Sequence, residues 1–154
     1  MNDLKQQIIK FQTNKNFNDN DFFISKSNEH VFNLLNKWPN WEKNFLNISG
    51  EKFSGKTHLI NIFLKKFNGI KIDCGSLNEN DIKNIKIHQN IVLENLDEKI
   101  NEDLHYSLFN IIEQENKYLI ATSIKPIVEI KFNLKDLKSR STNFLIQTIE
   151  IPDD

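Results

Sequence analysis

Eight consecutive residues, Gly50, Glu51, Lys52, Phe53, Ser54, Gly55, Lys56 and Thr57, lie between the apolar run Phe45, Leu46, Ile48 and a helix-like stretch, HLINIFLKKF. They satisfy the spacing G-x-x-x-x-G-K-[ST], in which glycines let backbone N–H groups close around phosphate oxygens. In such a loop Lys56 is expected to reach the β and γ phosphates and Thr57 to hold Mg2+. The helix that begins beside His58 adds the positive end of its dipole to the same anion site. A phosphate-cradling loop at a strand-to-helix junction restricts the fold to sheets with strands and helices in alternation. It does not by itself establish that nucleotide is bound.

With 154 residues, 38% of them hydrophobic and 27% charged, the chain is long enough for one core and short for two. A net charge of -1 gives no overall attraction to nucleic acid, so direct DNA binding is not expected. The single cysteine, Cys74, cannot close an internal disulfide, and no apolar run is long enough to span a bilayer. Together with the lack of a charged-then-apolar leader, this predicts a cytoplasmic protein without membrane contact. Among the 20 basic residues only Arg140 is an arginine, which asks for a reason.

Residues 1–20 combine a small apolar cluster, Ile8, Ile9 and Phe11, with the turn-prone NKNFNDND, and read as a tail and linker; residues 21–154 read as one domain. From Ser27, helical spacing of Val31, Phe32, Leu34, Leu35 and Trp38 predicts an amphipathic helix stopped by Pro39. The strand 45–48, the loop and a helix over 57–67 follow. Next come strand IKIDC, a short helix over 76–86, strand NIVLEN, helix EDLHYSLFNIIEQE, strand YLIAT, a helical turn around 134–140 and a last strand, FLIQTIEI. Five strands alternating with helices predict a parallel sheet covered on both sides, a three-layer α/β fold.

A phosphate loop needs an acid at the tip of a neighbouring strand, to hold the Mg2+ shell and to orient water. Glu94, at the end of Ile91, Val92, Leu93, fits the metal role, the alternative being a solvated strand-end acid. Asn95 follows where many ATPases carry a second carboxylate, and an amide cannot act as a general base. Thr122 and Ser123 end another strand, where a hydroxyl could bond a γ phosphate or simply satisfy local backbone groups. Arg140, in DLKSRS, precedes the last strand. A planar, permanently charged guanidinium there suits phosphate charge across an interface, with a surface ion pair as the alternative.

Taken together, GEKFSGKTHL, IVLEN, IATSIKP and LKDLKSRS followed by IPDD resemble, in order and spacing, the AAA+ domain of the DnaA family of replication initiators, and most closely its shortened Hda-type relatives. DFFISKSNEHVFNLLNKWPNW resembles the segment that opens this domain. The resemblance covers about residues 5–154. It implies a three-layer P-loop NTPase fold in which Lys56 and Thr57 form the Walker A pair, Glu94 the Walker B acid, and Thr122 and Ser123 the sensor-1 region. Arg140 would be an arginine finger acting in trans. Phe22, Phe23 and Asn28 would lie near the adenine of a bound ADP or ATP with Mg2+. The tail resembles a sliding-clamp-binding peptide, with Gln6, Ile9 and Phe11 as anchors.

The sequence also departs from these relatives. It ends at Pro152, Asp153, Asp154, where they continue into a helical lid, and Asn95 and Ile124 replace polar machinery. The expectation is therefore weak nucleotide binding with no robust turnover of its own. The function implied is an adaptor that docks on the sliding clamp and promotes hydrolysis of ATP held by DnaA, with homo-oligomerisation left open. Two alternatives stand beside it: a self-sufficient AAA+ ATPase of the helicase-loader type, and a P-loop scaffold that has no need of nucleotide.

Overall fold

The computed structural model describes residues 26–150, and within them all five expected strands form one parallel sheet. The strands are β1 (Phe45–Ser49), β2 (Ile70–Asp73), β3 (Asn90–Leu96), β4 (Tyr118–Ser123) and β5 (Leu145–Thr148), ordered β2-β3-β4-β1-β5. The helices are α1 (Glu29–Asn36), α2 (Lys56–Phe67), α3 (Glu79–Asn84), α4 (Glu102–Gln114) and α5 (Lys135–Ser141).

Period-2 alternation divides the strand residues between two cores, as a sheet covered on both faces requires. Leu46, Ile48, Val92 and Ile120 face Val31, Phe32 and Leu35 of α1 and Leu59, Ile60 and Phe63 of α2. On the opposite face, Phe45, Ile91, Leu93, Leu119 and Ala121 meet Leu108, Phe109 and Ile112 of α4 and Leu137 of α5. The three-layer α/β arrangement is thus the observed one. Each fully buried Leu, Ile or Phe contributes about 1.5–3 kcal/mol relative to an exposed position.

Local chemistry sets the element ends. The expected helix over 76–86 is broken into a 3-10 turn at Cys74–Ser76, α3, and a second 3-10 turn at Ile85–Ile87. The cause is a capping box: Asn78 accepts the N–H groups of Asn80 and Asp81, and Asp81 accepts that of Asn78, so the helix starts there and not at Ser76. Strand β2 stops one residue short of Cys74 because the Asp73 carboxylate turns back onto the Gly75 N–H. After α2, Asn68 (φ 67°) and Gly69 (φ 153°) reverse the chain. A side chain at position 69 would come within 2.7 Å of the Asn90 carbonyl oxygen, which glycine avoids.

A buried titratable group sits on α4. His105 of α4 is fully buried, its Nδ1 is 2.8 Å from the Asn101 carbonyl oxygen, and its Nε2 has no hydrogen-bond partner. Burial holds its pKa below the ordinary 6.5, against a smaller opposite effect of its bond to Asn101 and of Glu102. The imidazole is neutral in the folded chain and takes a proton more readily when unfolded. Stability is therefore expected to fall as pH drops through 6.5, at up to about 1.4 kcal/mol per pH unit, until the depressed native pKa is reached. Urea unfolding of wild type and His105→Leu across that window checks this, since only wild type should show the slope.

Candidate functional site

The C-terminal ends of β1, β3 and β4 meet at one edge of the sheet, where parallel α/β folds place their ligands. Gly50 follows β1 and donates its N–H to the carbonyl oxygens of Ser123 (3.0 Å) and Ile124 (3.1 Å), tying the loop to the tip of β4. A Cβ at Gly50 would stand 2.8 Å from Ser54 Oγ and 2.9 Å from the Ile149 carbonyl oxygen, so this turn excludes side chains. Gly55 opens α2 in the left-handed conformation (φ 102°) with no side-chain cap. No side chain caps the start of α2, the condition in which a helix start takes an anion.

Lys56 curls back into the loop, its Nζ bonded to the carbonyl oxygens of Gly50 and, at 2.9 Å, Glu51. Desolvation lowers its pKa, and Glu51 and Glu94 act in the opposite direction. Thr57 Oγ1 donates to Glu94 Oε2 at 3.3 Å, so the two residues expected to share a metal are in contact. Glu94 Oε1 is paired with Lys71 of β2 at 3.3 Å. These groups adjoin a cleft of about 780 Å³ lined by residues 52–58, 95–98, 123–125 and Ile130. The uncapped helix start and the lysine within the loop fit a nucleotide's phosphates, and Thr57 with Glu94 is the pair that would hold Mg2+, with one oxygen of that acid already taken by Lys71. Bound there, the ion would polarise phosphate oxygens, with Thr57 and Glu94 its holders.

The second position after β3 is different in kind. Asn95 is left-handed (φ 67°), its N–H bonded to Thr122 Oγ1 (3.1 Å) and its side-chain amide to Asp73 Oδ1 (2.7 Å). Its side chain is thus tied sideways to β2, and the Asp73 carboxylate is engaged by Asn95 and by Gly75.

The remaining sequence candidates are placed unevenly. Lys52, Phe53, Ser54, Gly55, Lys56, Thr57, His58 and Ser123 line the cleft; Glu51 meets it through its carbonyl bond to Lys56. Thr122 is buried and its hydroxyl oxygen accepts the Asn95 N–H, while Ser123 donates to the Lys125 carbonyl oxygen (2.7 Å). Asn28 is buried where α1 begins, its carbonyl oxygen accepting from Val31 and Phe32. Gln6, Ile9, Phe11, Phe22 and Phe23 lie outside the described residues.

Arg140 is packed against its own chain. Its side chain is 14% exposed and lies along α4, with Nη1 3.0 Å from Glu113 Oε2 and 3.3 Å from the Phe109 carbonyl oxygen. Nη2 bonds Asn110 Oδ1, and the guanidinium lies 5.8 Å from the Tyr106 ring centre. An arginine finger projects from the surface, whereas this guanidinium is engaged by α4 of its own chain.

Three residues here escaped the sequence reading. Asn47, wholly buried in β1, donates to the Ala121 carbonyl oxygen and Ser123 Oγ and accepts from the Ile127 N–H. A polar residue inside the apolar FLNIS was the available signal, because buried amides are kept for their hydrogen bonds. Lys71 and Asp73 of β2 carried no such signal, since their place beside Glu94 and Asn95 follows from strand pairing.

Phe53 adds a measurable strain. It adopts φ 64° with its ring fully exposed, a conformation that costs a bulky L-residue on the order of 1 kcal/mol or more. Phe53→Gly loses no packing and is expected to raise stability by about 1 kcal/mol, read as a higher urea midpoint at unchanged slope.

A five-stranded parallel sheet in this order, with the G-x-x-x-x-G-K-[ST] loop between β1 and α2 and an acid at the tip of β3, has the α/β architecture of AAA+ P-loop domains. The solved structures that resemble it bear this out. Domain III of the Thermotoga maritima replication initiation protein DnaA matches with a TM-score of 0.69 and 21% identity, over 86% of this chain and 66% of that one. AMPPCP-bound DnaA from Aquifex aeolicus gives 0.70 and 17%, over 85% and 49%. A crystal structure of DnaI gives 0.64 and 16%, over 87% of both. The chain thus spans about half to two thirds of the DnaA structures it matches. No protein-family model and no curated protein matches it. At these identities the likeness is one of fold, shared with the DnaA and DnaI structures. Among the described residues no helix is long and apolar enough to cross a membrane.

Proposed function

We propose that this chain is a nucleotide-binding regulator of replication initiation, of the Hda type, which holds ADP or ATP without turning it over rapidly and acts on the initiator DnaA. One observation carries the reading: Lys56, Thr57 and Glu94 are assembled around the phosphate loop, while the neighbouring position is an amide, Asn95, locked to Asp73. A site with the binding half of the machinery and no free carboxylate at that position suits a switch better than a motor. The fold shared with DnaA and DnaI supports the setting. In this reading Gln6, Ile9 and Phe11 bind the sliding clamp, and Arg140, released from Glu113 and Asn110 on assembly, meets the triphosphate held by DnaA.

The test is ATP hydrolysis by DnaA with clamp loaded on DNA, with and without the chain. Faster hydrolysis is expected with it, and equal rates would remove the adaptor role. Arg140→Ala, verified as folded, reads the arginine separately: stimulation that survives it removes the finger and leaves the adaptor. Phosphate release by the chain alone is expected to be slow and unchanged by Asn95→Ala.

A further inference from the structure

Glu94, the acid that would hold the metal's shell, already has a cation. Lys71 of β2 pairs in register with Val92 of β3, which makes Glu94 its diagonal neighbour two residues on and on the same face of the sheet. At that separation a lysine side chain spans the gap, and Nζ lies 3.3 Å from Glu94 Oε1. A second contact fixes it: Nζ also donates to Asn61 Oδ1 of α2 at 3.1 Å, so the ammonium is anchored between α2 and β3. The other carboxylate oxygen of Glu94 accepts from Thr57. Both oxygens of the acid are therefore engaged, and its side chain is only 14% exposed.

We propose that Lys71 is a resident counter-ion for Glu94, taking the place of much of the divalent cation's charge, so that this site binds its nucleoside di- or triphosphate with little dependence on Mg2+. The inference rests on the nucleotide-binding reading above. Its physical basis is competition. Mg2+ demands near-ideal octahedral geometry and keeps most of its waters, so it needs Glu94 to accept a hydrogen bond from its hydration shell. Here an ammonium holds one oxygen and repels an approaching cation. Among the described residues no group of three or more His, Cys, Asp or Glu side chains could hold a metal elsewhere. An ordinary surface ion pair would lack the anchor to Asn61 and would leave the metal dependence of binding untouched.

The experiment is an equilibrium titration of the full chain with a fluorescent ADP analogue and with ATP, each in excess EDTA and in excess Mg2+. Wild type is expected to change affinity by less than about threefold between the two conditions. Lys71→Met frees Glu94, so Mg2+ should then tighten binding by about tenfold or more, while Lys71→Arg should behave as wild type. Thermal melts confirm that each variant is folded, and Asn61→Ala, which removes only the anchor, should shift the Mg2+ effect in the same direction as Lys71→Met. A wild-type Mg2+ effect of about tenfold or more, or a Lys71→Met variant indistinguishable from wild type, would overturn the proposal. Absence of nucleotide binding by wild type in both conditions would instead remove the functional reading beneath it, and the inference with it.

Discussion

Lys56→Ala is expected to weaken ADP and ATP binding by about 100-fold or more, with the fold retained. The ammonium is held inside the loop by the carbonyl oxygens of Gly50 and Glu51, at the start of an uncapped helix. A phosphate entering that loop exchanges these two neutral acceptors for charged oxygens. Charge-assisted hydrogen bonds are roughly twice as strong as neutral ones, and each 1.4 kcal/mol changes the dissociation constant about tenfold. Losing about 3 kcal/mol of such interaction gives the expected factor. The alanine variant leaves no charge buried and removes only loop contacts, so its melting temperature should stay near that of wild type. Displacement of a fluorescent nucleotide, beside a thermal melt, checks both parts. Unchanged affinity would mean that the loop keeps its geometry without its use.

The second large effect concerns the support beneath the site. Asn47→Leu, nearly equal in volume, is expected to destabilise the chain by about 3 kcal/mol, because three buried hydrogen bonds lose their common partner. The Ile127 N–H is buried and loses its acceptor, while Ser123 Oγ keeps its bond to the Lys125 carbonyl oxygen; an orphaned buried group costs about 1–3 kcal/mol. Since Ser123 also lines the cleft and the Ser123 carbonyl oxygen holds Gly50, the change should loosen the loop and reduce nucleotide affinity as well. Urea unfolding measures the first consequence and nucleotide titration the second. A variant within about 0.5 kcal/mol of wild type would show that water or repacking replaces the amide.

What the sequence disclosed, and what it did not, follows the range of the interactions. The phosphate loop was legible because its requirements are local: Gly50 and Gly55 for the turn, Lys56 and Thr57 at fixed offsets. The strands were legible because unbroken apolar runs such as Ile91, Val92, Leu93 have no other home than a sheet covered on both faces. In the 76–86 segment the Asn78-Glu79-Asn80-Asp81 cluster marked the helix opening, but the 3-10 turns on either side of α3 arise from backbone bonds that the residue pattern does not show. The partners of Glu94 and Asn95 were hidden, because the β2–β3 register is set by packing that no single segment reveals. Arg140 illustrates the same limit. Its rarity in the chain was readable, but Glu113, Asn110 and the Phe109 carbonyl oxygen come to it only through the docking of α5 on α4.

Whether the phosphate loop of this chain holds a nucleotide is decided by calorimetric titration of the wild-type protein with ADP. Saturable binding is expected at about one ADP per chain, with a dissociation constant on the order of micromolar to tens of micromolar, about -8 to -6 kcal/mol. Heats indistinguishable from dilution up to about millimolar ADP would contradict it.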